Sequence, residues 1–405
     1  MTGTAWNKVR LGPHCSKIGS GFTPRGGENV YQQSGTSFIR SQNVYNGYFH
    51  VDGLAYLDDE QADQLKGVTV EEGDVLLNIT GDSVARTCRV PETVLPARVN
   101  QHVTIIRPKY DDFEPRFVSY FLISPIMQET MLSLAGSGGT RKALTKQMIE
   151  RFEIPKPPRP VQQKIVASLS AYDELIYNNR RRMLLLEEAA RQLYREWFVR
   201  LRFPGHEHTP IDDGVPQGWE RETLGDLCCD VREAAAPDQL EPDTPYIGLE
   251  HMPRRSIALS EWGRAEEVTS TKHRFRAGEI LFGKIRPYFH KVGISFVDGV
   301  ASSDAIVIRP VTSNLDGLVL MTVSSDQFIA ETAQTMREGS KMPRADWTKM
   351  RQYLVPVPPF GILSSFNGAI SNITQQLRTL TFQNQRLQAS RDLLLPRLIN
   401  GEIAV

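Results

Sequence analysis

The sequence lacks zinc-type cysteine pairs, long apolar runs and any excess of one charge sign. Its four cysteines, Cys15, Cys88, Cys228 and Cys229, form no C-x-x-C pair, which argues against a zinc ribbon or disulfide framework and predicts reduced thiols. No apolar run approaches the ~18 residues of a membrane helix and no signal-peptide pattern is present, so we expect a cytoplasmic protein without a membrane partner. The 47 basic and 47 acidic side chains balance, so any nucleic-acid site must be local.

Motifs for catalysis are missing as well. The glycine-rich stretch 135–142 lacks the spacing of a phosphate-binding loop, and the V-P-P-F at 357–360 has valine where amino-methyltransferases need a hydrogen-bond acceptor. His206 and His208 lie in a polar linker with no third ligand nearby, and no G-x-S-x-G elbow occurs. We therefore predict no catalytic residue, no metal site and no cofactor in this chain.

Two long stretches carry apolar residues at alternating spacings of three and four, which is the seam of a two-helix coiled coil. The second stretch repeats the first at a constant offset of about 201 residues, so each helix is expected to find its partner in the same chain. At ~1.5 Å per residue, each helix would run on the order of 55–60 Å. The predicted seam residues are Ile165, Leu169, Ile176, Asn179, Met183, Leu186, Leu193, Phe366, Ile370, Ile373, Leu377, Asn384, Leu387 and Leu394.

The direction of packing follows less directly from the sequence. A whole domain separates the two helices, so parallel and antiparallel packing are both reachable, and we favour antiparallel packing because it places one globular domain at each end. Asn179 and Asn384 occupy seam positions, where a buried amide fixes register; the alternative is that they mark a frayed or solvent-facing turn.

The globular parts are also duplicated. The W-x₄-L-G of 6–12 returns at 219–225, and the strand pattern of 73–81 returns at 278–286. Two further repeats follow in the same order. V-T-I-I-R-P in the first half returns as A-I-V-I-R-P in the second, and a P-x-P-P segment precedes each long helix. The predicted divisions are a first globular domain (1–158), a first long helix (159–200), a linker (201–218), a second globular domain (219–359) and a second long helix (360–405).

These observations predict the α+β class. We expect two α/β domains joined by two long antiparallel helices, which form an intramolecular coiled coil with pseudo-two-fold duplication. Inside the first domain, the spacing over 115–132 predicts one amphipathic helix.

Polar and basic residues cluster in turns that occupy matching places in the two halves. Arg, Asn and Gln are the side chains that form paired hydrogen bonds with base edges, and Lys, Ser and Thr beside glycine suit phosphate contacts. The candidate DNA-binding residues are Arg40, Asn43, Asn78, Thr80, Arg86, Asn100, Gln101, His102, Thr140, Arg141, Lys142, Arg254, Arg255, Lys284, Arg286, Tyr288, Lys291, Ser302, Ser303, Lys341 and Arg344. Any one of these residues is equally typical of an ordinary solvent-exposed loop. Their matching positions in the two halves favour a nucleic-acid-binding role.

Two readers on one face of B-DNA must lie about 34–36 Å apart, which a helix pair of this length allows. We therefore expect two short, unequal half-sites with an unread gap. The main alternative is a scaffold whose coiled coil binds protein and whose domains bind peptide or ligand. Matched basic patches would favour DNA, whereas two apolar clefts would favour the scaffold. An enzyme with a hidden nuclease or methylase centre is a third possibility.

The repeated W-x₄-L-G, the G-[DE]-[IV]-L strand, the P-x-P-P exit and the F-V-R-L-R-F-P-G to P-Q-G-W-E junction together resemble the specificity subunit of type I restriction-modification systems. The resemblance spans essentially the whole chain. It implies a non-catalytic, double-stranded DNA-binding subunit with two target recognition domains, which recruits two methyltransferase (M) subunits and, in the full complex, two restriction (R) subunits. S-adenosylmethionine would belong to the M subunits, and ATP and Mg to the R subunits. Recognition loops vary within the family, so the resemblance assigns no base contact.

Overall fold

The computed structural model describes residues 6–136, 142–334 and 342–403. The chain divides into two compact units, one of Met1–Leu175 with Arg386–Val405 and one of Ile176–Gln385. Each unit holds one sheet-rich domain and a part of both long helices. Within the described residues, no helix is both long and apolar enough to cross a membrane.

The first domain is built from two four-stranded sheets and two short strand pairs. Its strands are β1 (Lys8–Arg10), β2 (Cys15–Ser20), β3 (Thr36–Ile39), β4 (Val44–Tyr45), β5 (Tyr48–Phe49), β6 (Ala55–Leu57), β7 (Thr69–Val70), β8 (Val75–Asn78), β9 (Thr87–Arg89), β10 (Ala97–Val99), β11 (Val103–Pro108) and β12 (Glu153–Pro155). One sheet has the order β6-β3-β10-β7 and the other β2-β11-β8-β9, while β1 pairs with β12 and β4 with β5. All pairs are antiparallel except β3 with β10.

The alternation of side chains along β8 explains how the layers stack. Leu76 lies in a core shared with the other sheet, whereas Val75 and Leu77 face the opposite way into a core formed with the helices. Both faces are therefore buried, and the strand reads as a continuous apolar run in the sequence. The helices of this domain are α1 (Asp59–Gln64), α2 (Pro115–Ile123), α3 (Pro125–Gly136) and α4 (Lys146–Glu150).

The single helix predicted over 115–132 is wrong, because the chain forms two helices there. Ser124 adopts an extended conformation with ψ 144°, and α3 begins at the next residue, Pro125. A proline restricts the residue before it to extended conformations. It also has no backbone N–H to donate to the hydrogen bonds of a continuing helix. The Ser124 hydroxyl donates instead to the carbonyl of Phe121 at 2.6 Å.

The second domain repeats this plan. Its strands are β13 (Ile211–Asp212), β14 (Val215–Pro216), β15 (Glu220–Thr223), β16 (Cys228–Val231), β17 (Ala234–Ala235), β18 (Pro245–Ile247), β19 (Ala258–Leu259), β20 (Gly263–Arg264), β21 (Lys272–Phe275), β22 (Ile280–Gly283), β23 (Val292–Ser295), β24 (Gly299–Ala301), β25 (Ala305–Pro310) and β26 (Leu354–Val357). The sheet orders are β16-β25-β22-β23-β19 and β17-β21-β24-β18-β20, with β15 paired to β26. Apart from the added strands β17 and β19 and the β13-β14 hairpin, each strand has a counterpart in the same position in the first domain.

The helices of the second domain are α6 (Leu224–Leu227), α7 (Asp316–Val323), α8 (Asp326–Gln334) and α9 (Trp347–Met350). As in the first domain, the central strand alternates between two cores. Leu281 faces the second sheet, whereas Ile280 and Phe282 face the helices. The duplication seen in the sequence is therefore a duplication of topology and of core layers.

The long helices are α5 (Arg159–Tyr194), which continues as a π-helical turn (Arg195–Val199), and α10 (Phe360–Ile399). In the second unit, Asn179 lies beside Asn384 and Tyr194 lies beside Phe366, so the helices run antiparallel. In the first unit, Asp173 binds Arg391 at 2.7 Å, and earlier residues of α5 share a core with later residues of α10. The predicted fold class, with its antiparallel coiled coil, is confirmed.

The predicted seam residues are all buried or half-buried. The Asn179 side-chain amide donates to the Asn384 side-chain oxygen at 3.0 Å, and both residues are at most 9% exposed. The two amides satisfy each other within the apolar seam, as a register-fixing pair would.

Candidate nucleic-acid interface

In the first domain, four strand ends meet at one edge of the sheets. Parallel strands β3 and β10 end at Ile39 and Val99, so the loops that follow them leave in the same direction. Antiparallel strands β8 and β11 place the last residue of one, Asn78, opposite the first residue of the other, Val103. The topology thereby brings together three stretches of polar residues that are far apart in the sequence.

Three candidate residues at this edge are buried amides that hold the loops. The Asn78 side-chain nitrogen donates to the Ser41 carbonyl at 2.9 Å, and the Asn100 side-chain oxygen accepts from the backbone N–H of His102 at 3.0 Å. The Asn43 amide donates to a backbone carbonyl beyond β5 at 2.9 Å. All three residues are at most 6% exposed, so their side chains position the loops in this structure.

A ladder of polar side chains lies above those amides. The Thr80 hydroxyl is 2.5 Å from the His102 Nδ1, and the His102 Nε2 is 3.1 Å from the Gln101 side-chain nitrogen. Thr23 donates in turn to the Gln101 side-chain oxygen. Gln101 and Thr23 are exposed, and Thr80 and His102 are partly exposed, so this ladder presents amide, imidazole and hydroxyl groups at the surface.

The two candidate arginines of this domain differ in their partners. Arg40 is 3.1 Å from the Glu28 carboxylate and 5.1 Å from the centre of the Tyr31 ring. Arg86 stacks over Tyr45 at 4.6 Å and has no carboxylate partner within the described residues. Arg86 therefore keeps an uncompensated charge near the edge, and Arg40 does not.

Some candidates lie next to or outside the described part of the chain. Thr140, Arg141 and Lys341 lie outside the described residues. Lys142 is exposed, and its carbonyl accepts from the backbone N–H of Gly81 at 3.3 Å, so its backbone joins the same edge.

The second domain brings its candidate loops together in the same way. Parallel strands β18 and β24 end at Ile247 and Ala301, and β22 ends at Gly283 opposite the first residue of β25, Ala305. The backbone N–H of Ser302 donates to the Ile247 carbonyl at 3.0 Å, as the equivalent residue does in the first domain. The side chains at this edge are nevertheless different.

Lys284 holds the loop of 302–304 in the second domain. Its ammonium group donates to the Ser303 carbonyl at 2.8 Å, and burial lowers its pKa. The Ser302 hydroxyl accepts from the backbone N–H of Asp304 at 3.2 Å, and the Asp304 carboxylate pairs with Arg344 at 3.2 Å. Candidates from three loops thus form one network.

Two of the remaining basic candidates, Arg254 and Arg286, lie over the ring of Phe289. The Arg254 guanidinium lies 4.1 Å and the Arg286 guanidinium 5.8 Å from the centre of the Phe289 ring. Tyr288 is 52% exposed beside that ring, and Lys291 donates to a backbone carbonyl nearby. Stacking of guanidinium on an aromatic face is a favourable contact that leaves the donors free.

Comparison with known proteins shows what this chain is similar to. Residues 4–188 match the model of the type I restriction modification DNA specificity domain. The specificity subunit of the type I restriction enzyme MjaIX of Methanocaldococcus jannaschii is 23% identical over 76% of this chain and 74% of its own. The HindI specificity subunit of Haemophilus influenzae is 20% identical over 98% of this chain and 99% of its own.

The crystal structure of the S subunit of a type I restriction-modification system from M. genitalium covers 98% of this chain and 99% of its own, with a TM-score of 0.59 and 14% identity. This likeness shows the fold. Residues 4–188 therefore carry the type I restriction modification DNA specificity domain, and the chain as a whole is similar to type I restriction-modification specificity subunits.

In the second domain, a candidate loop is also tied to a long helix. The Glu187 carboxylate of α5 accepts from the Ser256 hydroxyl at 2.6 Å and from the backbone N–H of Ala258 at 3.1 Å. Burial raises the pKa of Glu187, although these hydrogen bonds and the adjacent Arg191 oppose that effect. Arg191 donates to the Arg255 carbonyl and so extends the tie to the candidate loop.

Arg255 itself is occupied. Its guanidinium is 2.8 Å from the Asp326 carboxylate, and its backbone N–H donates to the His290 carbonyl at 2.9 Å. The His290 Nε2 donates to the Ser324 carbonyl at 2.8 Å. Arg255 therefore braces this loop.

Sequence reasoning missed Phe289, Tyr45 and Glu187. Phe289 and Tyr45 are aromatic residues next to candidate turns, which is a signal that sequence alone offers. In the sequence, Glu187 looks like a glutamate on the solvent-exposed face of a helix. Only the structure shows that its side chain is buried. Among the described residues, no group of three or more His, Cys, Asp or Glu side chains is placed to hold a metal ion.

Proposed function

We propose that this specificity subunit reads a bipartite, asymmetric double-stranded DNA target, with one half-site for each domain and an unread spacer between them. The observation that carries this proposal is that the matched strands of the two domains have the same order but present different polar side chains at the same edge. Thr80, Gln101 and His102 form a ladder of hydroxyl, amide and imidazole groups in the first domain. Arg254 and Arg286 form a cationic cluster in the second. Different side chains on one scaffold favour different half-sites.

The same proposal assigns the chemistry to partners in the cytoplasm. Two M subunits would bring S-adenosylmethionine and methylate adenine, and two R subunits would bring ATP and Mg in the full complex, whereas this chain contributes no catalytic group or cofactor. An exposed strip of α5 is a candidate surface for the M subunits. Leu184 and Leu185 are 67% and 63% exposed there, next to the exposed Arg181 and Arg182. Large apolar residues beside charge are typical of partner surfaces.

The scaffold that binds peptide or ligand is the less favoured reading. The match of residues 4–188 to the DNA specificity domain supports DNA recognition, and the described parts of the candidate edges carry hydrogen-bonding and basic groups. Adenine methylation of the host genome, mapped with the gene present and deleted, tests the proposal. A split, asymmetric motif should lose methylation on deletion; a motif that persists, or one without a gap, contradicts the proposed function.

A matched pair of variants then tests the assignment of each edge. Gln101→Ala removes an exposed amide from the first edge, and Lys284→Met removes the ammonium group that holds 302–304 in the second. Each variant should weaken methylation through one half-site only. Equal weakening through both halves would show that the edges are assigned wrongly.

A further inference from the structure

Two turns of the same length occupy matching places in the two domains. The first joins β8 to β9 and the second joins β22 to β23. The backbone N–H of Asn78 donates to the Arg86 carbonyl at 2.9 Å, and that of Gly283 donates to the Lys291 carbonyl at 2.9 Å. These hydrogen bonds close the turns identically, so each position of one turn has a counterpart in the other.

Both turns need a left-handed backbone at the same two positions. In the first turn these are Gly81 with φ 75° and Ala85 with φ 73°. In the second turn they are Arg286 with φ 49° and His290 with φ 54°. Glycine adopts this conformation without cost, whereas a long side chain is strained there. Arginine thus stands where the first domain has glycine.

The surrounding structure holds Arg286 in this conformation from both sides. Its backbone N–H donates to the Pro343 carbonyl at 2.9 Å, and its carbonyl accepts from Phe289 at 2.8 Å. Ile285, the preceding residue, forms a bridge with Arg344. Strained residues that are fixed in this way are concentrated at functional sites.

The side chain of Arg286 carries a charge that nothing in its surroundings offsets. It is exposed, and neither it nor Arg254 forms an ion pair within the part of the chain that the structure describes. Arg254 also lies near enough to Lys291 to contribute to lowering the pKa of that lysine, after burial. Three cations therefore lie around one turn, and Glu250 is the acidic neighbour that opposes their effect on Lys291.

We propose that Arg286 is a DNA-contacting residue of the second domain, and that its strained turn places the guanidinium where it donates to an acceptor on DNA. The acceptor is a guanine edge or a phosphate oxygen, which share the geometry that the guanidinium matches. The inference rests on the proposed function. A purely structural residue at this position would be glycine, as Gly81 is in the matching turn.

The test is Arg286→Gly in the full-length chain, assembled with its methyltransferase subunits on duplexes that carry the mapped target. The melting temperature should stay the same or rise by about 2 °C, because glycine relieves the strain. Affinity for the target should fall on the order of ten-fold or more, with the loss confined to the second half-site. Arg286→Lys separates the two acceptors, since lysine replaces arginine at a phosphate better than at a paired guanine contact.

Asp213→Gly is the matched control. Asp213 is an exposed residue with φ 49° in the β13-β14 hairpin, so its replacement relieves the same strain away from the edge. It should change stability as Arg286→Gly does and leave affinity unchanged. Arg286→Asn, which tolerates the left-handed region, serves if the glycine variant folds poorly.

Wild-type affinity for Arg286→Gly, or an equal loss for Asp213→Gly, would overturn the inference. Binding of the wild-type assembly to the split target is measured alongside. If the wild type binds and Arg286→Gly binds equally well, only the role of Arg286 is wrong. If the wild type shows no preference for a split target, the proposed function itself fails.

Discussion

The first and second domains share one strand order, yet the edge where their strand ends meet carries different side chains. The first edge offers hydroxyl, imidazole and amide groups over three buried amides that hold the loops. The second offers guanidinium groups around Phe289 and a lysine-supported loop. The difference shows that the buried strands set where the loops lie, while the loop residues are free to diverge. Two readers of unequal chemistry can arise from one duplicated scaffold.

The ties between each domain and the long helices also differ. In the first unit, Asp173 of α5 accepts from the Tyr120 hydroxyl at 2.5 Å and from Arg391 of α10 at 2.7 Å, and it is one-third exposed. In the second unit, the corresponding tie is Glu187, which is 2% exposed. The hydrogen bonds of Glu187 are therefore better shielded from water than those of Asp173. Losing them should lower the free energy of unfolding by more.

The largest difference should appear at matched core positions of the helix pair. Phe366 is fully buried with the rings of Trp197 and Phe198 at 5.7 and 4.7 Å, whereas the matching Ile165 is buried among aliphatic residues. Phe366→Ala should lower the free energy of unfolding by about 3–5 kcal/mol and Ile165→Ala by about 2–4 kcal/mol, because a larger cavity remains. Urea unfolding followed by circular dichroism measures both. An equal cost would remove this contrast between the units.

The carboxylate ties come next in size. Glu187→Ala leaves the buried Ala258 N–H and the half-buried Ser256 hydroxyl with only the long contacts between these two residues, at 3.4 and 3.5 Å, which should cost about 1–3 kcal/mol. Asp173→Ala should cost about 1 kcal/mol, since its pair is partly screened by water. Glu187→Gln, which keeps an acceptor at the same place, is the control and should recover most of the loss. A larger cost for Asp173→Ala would reverse the comparison.

His290 makes the second turn sensitive to pH, whereas its counterpart Ala85 cannot titrate. Burial lowers the pKa of His290, and the neighbouring Arg255 adds to this, while the Ser324 carbonyl and Asp326 oppose it. The unfolded chain therefore binds the proton more readily, so stability is present above the ordinary histidine value near 6.5 and is lost as pH falls below it.

The melting temperature of the second unit, followed from pH 7.5 to pH 5, should show this loss. His290→Asn keeps a residue that tolerates the left-handed backbone and should flatten that part of the profile. An unchanged slope in the variant would assign the pH dependence to other groups.

The smallest effect is expected at the amide pair of the seam. Asn179→Ala leaves the Asn384 amide without its partner and should cost about 1 kcal/mol. Replacing both by leucine should be neutral or stabilising, because an apolar seam like that of the first unit results. A double-mutant cycle in urea unfolding gives the coupling. Destabilisation by the double leucine variant larger than that of Asn179→Ala would show that the amides do more than satisfy each other.

How far the sequence predicted the fold can be judged from particular elements. The alternating spacing of Ile165, Leu169 and Ile176 predicted the helix seam, because a narrow apolar strip has few other uses. The break at Pro125 was missed because the apolar spacing continues across it. The candidate loops were located by their repetition, but the burial of Asn78 and Asn100 was not visible. An asparagine that holds a loop and one that faces solvent look the same in a sequence.

Composition and periodicity alone determined the class, the duplication and the long helix pair, because these follow from local spacing that any window of the chain reveals. Only the tertiary structure decided which candidates share an edge, since that depends on strand pairing between residues far apart. It also decided that Arg286 takes a conformation suited to glycine and that Glu187 is buried. Backbone strain and burial are properties of the folded neighbourhood, and no residue carries them by itself.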